Sequence, residues 1–171
     1  HPKWIVPVVP QGQVLTDHSV VVSDGRITRI EPTAEALRIQ AAEHLHLPSQ
    51  VLLPGLINAH GHGAMTLLRG IADDAPLLSW LQDHIWPLEA EFVSEAFVRD
   101  GTDLALLDLV MGGTTTFSDM YFFPDVTAQR ADLAGLRAQL VFPVIDVATA
   151  WASDSEACLE KGLALRDEYR D

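Results

Sequence analysis

Apolar residues are distributed in two styles along the chain. Over the first third they form short runs: Trp4-Ile5-Val6-Pro7-Val8-Val9, then Ser19-Val20-Val21-Val22, then Arg26-Ile27-Thr28-Arg29-Ile30. β-branched residues and polar–apolar alternation mark half-buried strands, and Ser23-Asp24-Gly25 between the last two runs predicts a hairpin turn. Pro7 demotes the first run to an edge strand or a strand end, and Pro10-Gln11-Gly12 marks a turn behind it. A short helix is expected after Pro32. Residues 3 to 31 thus predict a small antiparallel β unit, and Glu43-His44-Leu45-His46-Leu47-Pro48 alternates once more beyond it.

From about residue 50 the pattern lengthens. Val51-Leu52-Leu53 and Leu56-Ile57 read as one strand buried on both faces, as in a parallel sheet covered by helices. Between Ala75 and Glu91, Leu77, Leu78, Leu81 and Ile85 recur at helical spacing, with a break or restart at Pro87. Ser94 is a candidate N-cap for a helix carrying Phe97, Val98, Leu104, Ala105 and Leu109, closed by Gly112-Gly113. Thr114 to Tyr121 reads as a second strand. Asp125 opens a helical stretch with Leu133, Leu136 and Leu140 near its apolar face. Leu140 to Val147 is expected to be a third buried strand, and Ser155 to Tyr169 an amphipathic helix. Strands alternating with long crossovers define a parallel α/β arrangement. A closed eight-stranded α/β barrel takes about 250 residues, so three strands cannot complete one. With no initiator Met and a polar end at Asp167-Glu168-Tyr169-Arg170-Asp171, the chain is expected to be the N-terminal part of a larger protein.

Composition narrows the class. Of the 171 residues 48% are hydrophobic and 20% charged, which is globular rather than disordered. No apolar run approaches the roughly 18 residues of a membrane span, and His1-Pro2-Lys3-Trp4 has no signal-peptide layout, so a soluble protein is expected. Eleven basic against 24 acidic residues, a net charge of −13, argue against nucleic acid or an anionic membrane as partner. The single cysteine, Cys158, excludes an internal disulfide, reads as a small buried residue and fits a reducing cytoplasm.

The candidate chemistry sits in Pro54-Gly55-Leu56-Ile57-Asn58-Ala59-His60-Gly61-His62-Gly63. In an extended strand His60 and His62 share a face, at the C-terminal strand end where α/β barrels carry their sites. Gly61 and Gly63 leave room for a ligand or a neighbouring backbone. Catalytic zinc takes about three protein ligands and an open water position, so two histidines make a partial site. His44 and His46 repeat the spacing and act as a control. Their leucine-separated alternation ahead of Pro48 reads as an exposed strand face with a structural role.

These residues, with Met65-Thr66-Leu67-Leu68-Arg69-Gly70, Asp73-Asp74, Trp80-Leu81, Pro87-Leu88-Glu89 and Gly113-Thr114-Thr115-Thr116-Phe117-Ser118-Asp119-Met120-Tyr121, carry a resemblance over essentially the whole chain. The chain resembles the amidohydrolase superfamily of metal-dependent hydrolases, in particular the branch of adenosine, S-adenosylhomocysteine and methylthioadenosine deaminases. That resemblance implies an α/β fold. Residues 1–52 would belong to an N-terminal β-sandwich domain, and 53–171 would form the first three β/α units of a (β/α)8 barrel. It implies a zinc-dependent aminohydrolase acting on an adenosine thioether, with His60 and His62 as metal ligands and one divalent metal per complete site. Glu89 would accept hydrogen bonds from the ribose hydroxyls and Trp80 would face the nucleoside. The remaining ligands and the proton-shuttling glutamate lie on later strands in relatives, so no catalytic residue is assigned here. The partners implied are a small nucleoside, the C-terminal remainder of the protein and further copies in a homo-oligomer. Relatives often carry Thr where Gly61 stands, a side chain that would point away from the metal. Trp86 is expected to pack near the cleft, Asp119 to make a structural hydrogen bond, and Arg69, Asp73 and Asp74 to fix the loop. His18 and His84 read as ordinary surface or helix residues. Alternatives from the same superfamily are a triazine chlorohydrolase or aminohydrolase and a guanine or cytosine deaminase; from another class, a non-catalytic metal-binding module.

Overall fold

The computed structural model describes residues 1–170, which divide into two compact units, one over 1–54 and the other from Gly55 onward. The first unit comprises β1 (Pro2–Ile5), β2 (Leu15–Thr16), β3 (His18–Ser23), β4 (Arg26–Pro32), the single turn α1 (Thr33–Ala36) and β5 (Leu47–Leu52). β3 and β4 form the expected hairpin, pairing Ser23 with Arg26. Asp24 and Gly25 both take left-handed backbone, at φ 51° and 71°, as a type I′ turn demands of both central residues.

Residues 3 to 31 hold the expected antiparallel pairings, β1 with β2 and β3 with β4. β1 is the middle strand of the sheet β2-β1-β5 and pairs parallel with β5; Pro7 lies past its end, the second of the two places the sequence allows for it, where it removes no central ladder bond. One expectation for this unit is corrected. His44 and His46 lie in the loop before β5 rather than on a strand, exposed, with their rings against that of His1 at centroid distances of 5.3 and 4.8 Å.

The second unit begins with β6 (Leu56–Asn58) and a 3-10 helix (Gly63–Leu68). A nearly continuous helical run follows, made of α2 (Leu77–Ser79), a π-helical turn (Trp80–Ile85) and α3 (Trp86–Phe92), and then come α4 (Glu95–Met111), β7 (Thr114–Met120), α5 (Pro124–Ala134), β8 (Arg137–Val141) and α6 (Ser155–Glu168). The sheet order is β6-β7-β8, parallel throughout, which makes the unit α/β. α4 starts where the sequence predicts: the Ser94 hydroxyl accepts from the Phe97 amide at 3.2 Å, and Gly112 and Gly113 close the helix. The sheet packs on α4 and α5 through Leu106, Phe117 and Ala131, with Leu136 and Leu140 against them. Cys158 is buried in α6 beside Trp151 and Ala152. No described helix is long and apolar enough to cross a membrane.

Residues 51–57 do not form one strand. The break falls at Pro54-Gly55, and Gly55 comes so close to β7 that a Cβ there would sit 2.2 Å from Thr115 Oγ1. Leu56 and Ile57, expected to be buried, are 52% and 72% exposed because β6 is an outer strand with β7 as its single neighbour among the described residues. The third strand spans 137–141 instead of 140–147 and is largely exposed; Pro143, which lacks an N–H, follows its end. Leu133 faces away from the α5 apolar stripe and is exposed.

Candidate active site

Strand β6 ends at Asn58, so His60 and His62 stand in the loop just beyond it rather than in the strand itself. Their rings still converge, with centroids 5.0 Å apart in an edge-on arrangement. The end of β7 orders this loop. The Met120 amide donates to the Gly61 carbonyl at 3.0 Å, His62 Nδ1 donates to the Met120 carbonyl at 2.7 Å, and the Gly63 amide donates to Asp119 Oδ1 at 2.5 Å. The two glycines make this approach close: a Cβ on Gly61 would lie 3.3 Å from the Ser118 carbonyl, and one on Gly63 3.2 Å from Asp119 Oδ1, contacts that a shift of a few tenths of an ångström would relieve. The room they leave is taken up by β7.

The carbonyl bond has a chemical consequence. A carbonyl oxygen only accepts, so Nδ1 of His62 carries a proton, and the lone pair of the neutral ring lies on Nε2. Ring orientation by a backbone carbonyl is how metal-binding histidines are commonly held, so the donor set fits a divalent metal of the zinc type. His60 and His62 are nevertheless only a pair, since no cluster of three or more His, Cys, Asp or Glu suited to a metal occurs among the described residues.

His62 lines a cavity of about 670 Å³, and Glu89, Trp80, Trp86 and Tyr121 line it too. His60 is not among its lining residues. Trp80 comes from the π-helical turn and spends its indole N–H on the Ile71 carbonyl at 2.8 Å, which leaves the ring as an apolar wall. Glu89 comes from α3 and accepts a 2.7 Å hydrogen bond from the Tyr121 hydroxyl through Oε1. Burial pushes the Glu89 carboxyl above its ordinary range, opposed by the Tyr121 hydrogen bond and by the neighbouring His62. Burial and the Glu89 charge together push the Tyr121 phenol well above its ordinary value, so it remains a donor. Asp119, 3% exposed, is likewise raised by burial and held back by the Gly63 amide. Its contact is the structural one the sequence suggests. Arg69 reaches Asp108 at 2.6 Å on α4, and Asp73 lines the cavity; Asp74 and His84 are not among its lining residues, and His18 Nδ1 donates to the Thr16 carbonyl at 2.7 Å in the first unit.

Two contributors are missed by sequence reading. Met120 acts through its backbone, which no side-chain motif reports. Tyr121 has a detectable signal: two residues beyond Asp119, it stands at the end of the strand beside the histidine loop.

The second unit is thus a parallel α/β sheet with a pair of converging histidines in the loop beyond its first strand. Residues 51–171 match the Amidohydrolase family, and the chain belongs to that family. It is 53% identical over 98% of its length to a 5-methylthioadenosine/S-adenosylhomocysteine deaminase of Teredinibacter turnerae, covering 38% of that protein. It is 42% identical over 84% of its length to a 5'-deoxyadenosine deaminase of Methanosarcina barkeri, covering 32% of it. Among solved structures, a zinc-bound adenosine deaminase from Xanthomonas campestris superposes with a TM-score of 0.94 at 46% identity, over 99% of this chain and 39% of that one. The chain therefore spans under two-fifths of each of these three relatives.

Proposed function

We propose that the chain is the N-terminal part of a zinc-dependent aminohydrolase that releases ammonia from an adenosine thioether, 5-methylthioadenosine or S-adenosylhomocysteine, leaving the inosine analogue. The observation that carries this reading is His62: its Nδ1 is occupied by Met120, its Nε2 is left as a ligand, and it lines one cavity with Glu89. The 53% identity to a deaminase of those nucleosides supplies the substrate class. His60 and His62 would hold the zinc. When bound, such a metal activates water near neutral pH for attack on an electrophilic carbon.

The chain's own residues do the rest of what is assigned here. Glu89 Oε2, free of the Tyr121 bond, accepts from the ribose hydroxyls, a task suited to a carboxylate because it is an acceptor only. The Trp80 ring closes one side of the cleft and excludes water from the nucleoside. In the full protein the sheet β6-β7-β8 continues into a closed (β/α)8 barrel, and residues 1–52 belong to a β-sandwich domain; the exposed outer strands β6 and β8 support the barrel. The single, buried free cysteine fits a reducing, cytoplasmic site of action.

The test is ammonia release by the full-length, zinc-loaded protein from 5-methylthioadenosine, S-adenosylhomocysteine and guanine, with chloride and ammonia release from a chlorotriazine measured alongside. Turnover of the two thioethers is expected. Both His60→Ala and His62→Ala should cut it by about a hundredfold or more and lower the bound zinc measured by elemental analysis. Undiminished turnover in either variant removes that histidine from the site, and preference for guanine or a triazine overturns the substrate assignment.

A further inference from the structure

Glu89 and Tyr121 come from different elements, α3 and the end of β7, and meet in the wall of the cavity. Tyr121 is 6% exposed and packed with Ala64, Val93 and Val98, its ring tilted against Phe122 at 5.2 Å. A phenol so confined has almost no freedom in where it points its hydroxyl. Glu89, by contrast, is only partly buried and sits on a short helix behind a π-helical turn, with three rotatable bonds of its own. Tyr121 makes the one side-chain hydrogen bond found for that carboxylate among the described residues.

We propose that Tyr121 is a positioning residue for nucleoside selection: by holding Glu89 Oε1 it fixes the carboxylate in one rotamer and presents Oε2 to the vicinal hydroxyls of a ribose. The proposal rests on the reading of Glu89 as the ribose acceptor. It separates two functions of the carboxylate, with one oxygen committed to the fold and the other to the ligand. Its consequence is selective. Loss of the phenolic hydroxyl weakens discrimination for sugars with a 2',3'-diol without touching the reacting end of the base, because the rotamer restriction on Glu89 disappears while the carboxylate remains.

The experiment compares adenosine with 2',3'-dideoxyadenosine as substrates of the full-length, zinc-loaded enzyme, for wild type, Tyr121→Phe, Glu89→Gln and the double variant. Tyr121→Phe is expected to raise KM for adenosine about tenfold, with kcat within about threefold, and to leave KM for the dideoxynucleoside unchanged. In the Glu89→Gln background the same change should add little, since the two residues act as one unit. Equal losses on both substrates, or full additivity in the double variant, make Tyr121 a structural residue and overturn the proposal. Intact diol discrimination in Glu89→Gln overturns the assignment of Glu89, and the proposal with it; discrimination lost in Glu89→Gln but kept in Tyr121→Phe overturns the proposal alone. If Tyr121→Phe does not fold, Glu89→Asp withdraws the carboxylate from the phenol at unchanged charge. It should then show the same selective rise in KM, and unchanged discrimination would count against the proposal.

Discussion

At the scale of single residues, Glu89 is where burial and function pull in opposite directions. Its carboxyl is raised above the usual range chiefly by burial, yet the ribose recognition proposed for it requires it ionised. kcat/KM for a ribonucleoside should therefore fall on acidification from a pH above that of an ordinary glutamate, and Glu89→Gln should lose that acidic limb. The sign for stability runs the other way. A carboxyl raised in the folded state holds its proton more tightly there than in the unfolded chain, so its contribution is complete below the unfolded pKa and lost as pH rises through the folded one. Ionised Glu89 thus weakens the fold at neutral pH, and Glu89→Gln is expected to melt at or above wild type at pH 7 but not at pH 4. The nearness of His60 to His62, and of Glu89 to the cavity that His62 lines, is what the motif-bearing stretches of the sequence lead one to expect. Tyr121 is harder to read, since an aromatic at a strand end is usually core, and in part this one is: the same ring serves the packing cluster and the carboxylate.

At the scale of elements, local chemistry predicts well and pairing predicts poorly. The Asp24-Gly25 turn, the Ser94 cap and the Gly112-Gly113 stop each follow from a backbone requirement of a few adjacent residues. The break between β5 and β6 does not, because an apolar run looks the same whether it serves one sheet or two. The third strand is misplaced for a related reason: Leu140 to Val147 is the more apolar stretch, but the pairing that defines β8 is with β7 from Arg137 onward, and Pro143 follows. Helix α4 carries a contact that no pattern reveals. Gly101 lies against the 3-10 helix that follows His62, where an added Cβ would stand 2.3 Å from the Ala64 carbonyl. Gly→Ala in a helix interior ordinarily gains about 0.5–1 kcal/mol, whereas overpacking a tight contact costs about 1–3 kcal/mol. The clash wins, so Gly101→Ala is expected to lower the melting temperature and, by displacing Ala64 near the histidine loop, to weaken zinc retention in a chelator-competition assay.

Over the whole molecule, charge and apolar surface oppose each other. A net charge of −13 keeps copies apart, while the outer strands β6 and β8 expose Leu56, Ile57 and Val141. Salt screens the first and leaves the second, so residues 1–171 expressed alone should self-associate increasingly as ionic strength rises, measured by light scattering, and should release no ammonia from nucleosides. A monodisperse species at all salt concentrations would contradict this. One last consequence belongs to the three successive residues at the end of β7. Asp119 holds Gly63, Met120 holds Gly61 and His62, and Tyr121 holds Glu89, so a shift of one position along that strand would undo every one of these bonds together. Insertions and deletions are thus the changes this region should tolerate least. The mostly exposed loop over 144–148, ahead of the buried Trp151 and Ala152, has no ladder to keep in step and can change length more freely than residues 114–121.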